Sequence, residues 1–101
     1  MSIVILLVLQ GLFYLSNIVK YIRVTEMDKT YLKQYKNLGL NISFYRKSRG
    51  YTQMELAELL DIDRSHMSAI ELATVGVSLD VVFKLCEVLQ LEPKALFDFR
   101  E

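Results

Sequence analysis

Between Thr52 and Glu71 the chain reads TQMELAELLDIDRSHMSAIE, a tract that leaves little freedom: two short helices joined by a tight turn. The first helix has a defined start. Thr52 can accept a hydrogen bond from the Glu55 N–H while the Glu55 carboxylate reaches back to the Thr52 N–H, which makes a capping box. Leu56, Ala57 and Leu60 recur at one-turn spacing and predict a buried stripe, with Gln53, Glu55 and Glu58 turned away from it. Asp61 then interrupts the pattern with a residue that tolerates the left-handed backbone of a sharp turn, and Asp63 is placed to cap a second helix beginning at Arg64. In that second helix Met67 and Ile70, with Ile62 just ahead, face inward, which leaves Arg64, Ser65, Ser68 and Ala69 on the outer face. Small side chains and one arginine suit close approach to another surface.

The flanking sequence predicts three more helices and no strand. Leu38, Ile42 and Tyr45 stripe a helix that runs to about Arg49, where Gly50 supplies the glycine that ends it. Ser78 is placed to cap a helix striped by Leu79, Val82, Leu85, Cys86 and Leu89, with Val81 and Phe83 widening its apolar face. Pro93, at a first helical position where its missing N–H costs nothing, opens a last helix whose Ala95 and Leu96, with Phe99, close the core. The fold class is therefore all-α, a five-helix domain over 38–101 with an apolar segment at 1–26, itself helical by pattern, and a polar linker or helix extension at 27–37. About sixty residues is small for a core but within the range that folds alone, and a single cysteine forms no intrachain bridge.

From Leu38 to Phe99 the chain resembles the helix-turn-helix domain of the phage-repressor, Xre-like family. The matching residues are Gln53 opening the second helix, the tract Glu55-Leu56-Ala57, and Ile62 to Glu71 with its Arg-Ser and Ile-Glu pairs. The resemblance implies a domain that binds operator DNA as a symmetric dimer with its third helix, residues 64–72, in the major groove. It also implies a buried pair between Arg46 and Glu71; without it, two solvated charges are the alternative, set against the high cost of burying either alone. Within such a frame Arg64 suits a guanine through O6 and N7, Ser65 several bases, Ala69 a thymine methyl and Gln53 a phosphate, with Ser68 and His66 as further candidates. For each serine, plain solvent exposure competes with contact.

Charge argues for restraint. The whole chain balances 12 basic and 12 acidic residues. From Leu38 onward, however, seven basic residues face ten acidic, a net of −3. Phosphate neutralisation supplies most nonspecific affinity, so binding is expected to be weak and salt-sensitive unless Arg46, Lys47, Arg49 and Arg64 share one face. In the loop from Leu72 to Val77 no glycine is followed by a cation where many family members place that pair, which leaves Leu72 and Val75 as candidate protein contacts. Lys29, Lys33 and Lys36, ahead of the domain, are either a cationic supplement or a solvated helix face.

The run IVILLVLQGLFYLSNIVKYI at 3–22 is a separate feature. Twenty helical residues span about 30 Å, the thickness of a bilayer's hydrocarbon. Lys20 and Arg23 at its end would keep the domain on the cytoplasmic face, while Gln10, Gly11, Ser16 and Asn17 weaken the run. No cationic residue precedes it and no small-residue cleavage site follows, which disfavours a secretory signal. Three readings compete: a membrane anchor, an early-assigned start with translation beginning at Met27, and an arm packed on the domain or a second subunit.

No glycine-rich phosphate loop, metal-ligand cluster or nucleophile with an adjacent base appears, so neither catalysis nor a cofactor is expected. His66 is the only histidine, and Cys86 reads as an inert core thiol compatible with a reducing cytoplasm. The expectation is a cytoplasmic, dimeric transcriptional repressor whose dimer surface includes Leu96, Phe97 and Phe99. Its rivals are a protein-interaction module, such as the antitoxin of a toxin pair, and a membrane-tethered regulator.

Overall fold

The computed structural model describes residues 2–12 and 29–99. The domain consists of a 3-10 turn, Lys29–Tyr31, followed by α1 (Leu32–Ser48), α2 (Gln53–Leu60), α3 (Arg64–Glu71), α4 (Leu79–Leu89) and α5 (Pro93–Leu96). No strand occurs among the described residues. Residues 3–12 are also helical; the rest of the apolar run, with Lys20, Arg23 and Met27, lies outside the described residues.

Local chemistry sets most of the boundaries. The Glu55 N–H donates to Thr52 Oγ1 at 3.1 Å and the Thr52 N–H to Glu55 Oε1 at 3.1 Å, closing the capping box of α2. α2 stops where Asp61 takes the left-handed conformation at φ 57°, ψ 44°, and the chain turns directly into α3. Gly50, at φ +79°, reverses the chain after α1. Ser78 Oγ accepts from the Val81 N–H at 3.2 Å, and Pro93 occupies the first turn of α5. Replacement of Thr52 by alanine removes one half of the box and should cost about 1 kcal/mol, read as a lower midpoint of thermal unfolding.

The same box is pH-dependent. The Thr52 backbone N–H, and after it the Thr52 side chain, hold the Glu55 carboxyl below its ordinary value. A group lowered on folding stabilises fully above the ordinary carboxylate range, and the contribution is lost as pH falls through the lowered value.

α1 begins at Leu32, so Lys33 and Lys36 ride on the helix. Two local expectations fail. Asp63 stands at the N-cap of α3 with an extended backbone, but its side chain makes no capping bond. Leu79 and Phe83 are 65% and 55% exposed, because the part of α4 that meets the core is the narrower stripe Val82, Leu85, Cys86 and Leu89.

The core is one cluster. Leu38 and Ile42 of α1, Leu56, Ala57 and Leu60 of α2, Met67 and Ile70 of α3, the α4 stripe and Leu96 of α5 pack together, with Tyr45, Ile62 and Phe99 half-buried against them. Leu96 has no exposed surface, so it cannot belong to a dimer surface; of the three residues expected there, Phe97 is the one well exposed. Burial pushes the Cys86 thiol up, away from the thiolate that reactivity requires.

Candidate nucleic-acid interface

Since α3 has only eight residues, its orientation depends on what grips its two ends. At its start the Asp61 turn joins it to α2. Near its end Glu71 is buried, and its carboxylate is held by a fork: Arg46 Nε donates to Oε2 at 2.7 Å and Arg46 Nη2 to Oε1 at 3.0 Å. The third guanidinium nitrogen, Nη1, donates to the Tyr51 carbonyl at 2.9 Å. Gln53 Nε2 adds a longer bond to Glu71 Oε1 at 3.3 Å. One carboxylate thereby ties α3 to α1 and to the first residue of α2. The bidentate geometry and the buried setting make this a charge-assisted, orienting contact.

A second constraint on α3 carries no side-chain signature. Gly39 of α1 lies against the end of α3 so closely that a Cβ there would overlap the Glu71 carbonyl oxygen and stand 2.9 Å from both the Glu71 carbonyl carbon and the Ile70 carbonyl oxygen. Two backbones touch, and only glycine allows it.

The face that α3 turns outward is graded. Arg64, Ser65 and His66 are exposed, whereas Ser68 and Ala69 are half-buried. The following loop folds back onto the helix: the Thr74 N–H and Thr74 Oγ1 both donate to the Ala69 carbonyl, at 3.0 and 3.3 Å. Ala73 makes this return in the left-handed conformation at φ 58°, although it carries a Cβ. Gln53 is half-buried and already bonded to Glu71, so its amide reaches any ligand as part of that network.

The cations do not gather as the charge argument required. Arg46 is committed to Glu71, and Arg49 Nε donates to the Leu89 carbonyl at the end of α4 at 3.0 Å, its guanidinium 5.9 Å from the centre of the Tyr45 ring. Among the four named cations, Lys47 and Arg64 remain exposed without such a commitment. Sequence reasoning had no signal for the Arg49 bond, since residues 49 and 89 lie forty positions apart; nor for Gly39, whose place in α1 looks like an ordinary loss of helix propensity.

Two short helices joined by a left-handed turn, the second braced from behind and bare on its outer side, define a helix-turn-helix domain. The chain belongs to the Xre-like helix-turn-helix family (HTH_3), whose family model matches residues 42–96. Solved structures agree. The restriction-modification controller protein C.AhdI from Aeromonas hydrophila is 33% identical, with a TM-score of 0.60 over 62% of this chain and 96% of that one. The N-terminal DNA binding domain of SinR from Bacillus subtilis is 32% identical, with a TM-score of 0.58 over 63% and 94%. SinR, the master regulator for biofilm formation, in complex with DNA is 34% identical, with a TM-score of 0.57 over 60% and 98%. No curated protein matches the chain.

Proposed function

We propose that this chain, a DNA-binding transcriptional regulator, represses transcription by occupying an operator as a homodimer, with α3 of each protomer in the major groove. The observation that carries the reading is the exposed start of α3, Arg64, Ser65 and His66, on a helix whose far end is clamped by Arg46 and Gly39. A helix held from behind can meet base edges without paying to order itself. Arg64 reads a guanine, Ser65 and His66 its neighbours, and Gln53 meets a phosphate. Ser68 and Ala69, half-buried, contribute at the edge of the contact, Ala69 through its methyl. Symmetry would place the two α3 helices about 34 Å apart, one turn of the duplex. The exposed Phe97 belongs to the dimer surface in this reading. The action is cytoplasmic and needs no chemical step, since an occupied operator excludes other proteins.

The electrostatics favour specificity over bulk affinity. With Arg46 and Arg49 bonded internally and Arg64 assigned to a base, few cations of the domain are left for phosphates, so a shallow slope of log affinity on log salt is expected. Binding of the chain to DNA upstream of its own gene, measured at two salt concentrations, tests both points. Arg64→Ala should weaken binding by about 1–3 kcal/mol and relax the preference at one base position. Equal affinity of the wild-type chain and the variant for every sequence would remove Arg64 from base reading, and no binding at either salt would remove the operator.

A further inference from the structure

Residues 3–12 form a helix opened by Ser2, whose hydroxyl accepts from the Ile5 N–H at 3.2 Å. Ile3, Val4, Ile5, Leu6, Leu7, Val8, Leu9 and Leu12 are all between 48% and 75% exposed. Seven of them are consecutive, so at 3.6 residues per turn they cover every face of the helix. A helix apolar on one stripe is satisfied by a groove; a helix apolar all round needs an apolar medium on all sides. The domain does offer a groove of about 350 Å³, lined by Tyr31, Tyr35, Leu38, Leu79, Val82 and Phe97 among others, but it could cover only one face of such a helix.

Charge points the same way. Residues 2–12 contain no Asp, Glu, Lys or Arg. The next stretch, to residue 37, carries Lys20, Arg23, Lys29, Lys33 and Lys36 against Glu26 and Asp28, a net of +3, while the chain from Leu38 onward is −3. Since Lys20 and Arg23 are offset by Glu26 and Asp28, that excess is Lys29, Lys33 and Lys36 on the 3-10 turn and α1, the end of the domain that follows the apolar segment in sequence. An apolar helix followed by cations is complementary to acyl chains beneath anionic headgroups.

We propose that residues 3–12 insert into a lipid bilayer and that the cationic end of the domain that follows, at 29–36, faces its anionic headgroups, so that the regulator is held at a membrane surface. Ten helical residues reach about 15 Å, half the hydrocarbon depth. No helix among the described residues is long and apolar enough to cross a membrane. The inference does not rest on operator binding.

The test is flotation of the full chain, without DNA, on vesicles of phosphatidylcholine and on vesicles of an equal mixture with phosphatidylglycerol. The chain should float with both, more tightly by roughly fivefold or more with the anionic lipid, since each cation near the surface contributes about that factor. High salt should remove that increment and leave the neutral-vesicle binding. The variant Ile5→Glu with Leu9→Glu, which charges one face of the helix, should bind at least about tenfold less while the domain melts at an unchanged temperature. A full chain that stays off both vesicles overturns the proposal, whether it is monomeric with the helix lying in its own groove or associated into oligomers. Equal flotation of the variant overturns it too.

Discussion

Arg46→Ala should lower the stability of the domain by about 3–5 kcal/mol, the usual cost of removing one partner from a buried ion pair. The variant leaves the Glu71 carboxylate buried, with the Gln53 amide at 3.3 Å as its remaining side-chain donor, and takes away the donor to the Tyr51 carbonyl. For a domain of this size 1 kcal/mol moves the unfolding midpoint by about 4–8 °C, so a fall of at least about 12 °C is expected by thermal melting. An unchanged midpoint would rule out a stabilising buried pair. The double replacement Arg46→Met with Glu71→Met separates charge burial from packing. It leaves no orphaned ion and should recover most of the lost stability. Because it also removes the tie from α3 to Gln53, DNA affinity should recover less than stability does.

Gly39→Ala should destabilise by about 2 kcal/mol or more, against what helix propensity alone would give. Alanine in a helix interior gains about 1 kcal/mol over glycine, but an added methyl in a filled contact costs typically 1–3 kcal/mol and sometimes more. Here the atoms in the way are backbone, the Glu71 and Ile70 carbonyls, and they cannot yield without displacing α3. The overlap wins. Gly11→Ala is the matched control, since a Cβ there meets nothing within 4 Å. A melting experiment decides by sign: a midpoint that rises for Gly39→Ala would mean that α1 and α3 are not in backbone contact.

Both predictions concern how α3 is held rather than what it presents. In an eight-residue helix, intrinsic stability is negligible, and packing of an amphipathic face does the ordering. A displaced α3 would carry Arg64 with it, so a substitution at residue 39 or 46, distant in sequence from the proposed contact, should still impair DNA binding.

Legibility in the sequence followed range. The capping box of Thr52 and Glu55, the left-handed turn at Asp61, the Ser78 cap and the proline opening of α5 involve residues within a few positions of each other, and all are present in the structure. The core stripes of α1, α2 and α3 follow from the 3.6-residue period in the same way. Where expectation failed, a distant neighbour decided. Leu79 and Phe83 fit an apolar stripe but stay exposed, and the outer face of α3 is half-buried at Ser68 and Ala69. Arg49 could not be read as the partner of the Leu89 carbonyl, nor Gly39 as the point where two helices touch.

By itself the sequence determined where each helix of the reader starts and stops and which side of it is apolar, because caps, turns and periodicity act over one or two turns of backbone. Tertiary structure alone decided which cations remain exposed, how firmly α3 is held and which apolar side chains stay uncovered. Those outcomes depend on atoms brought together from positions tens of residues apart, and nothing local encodes that meeting.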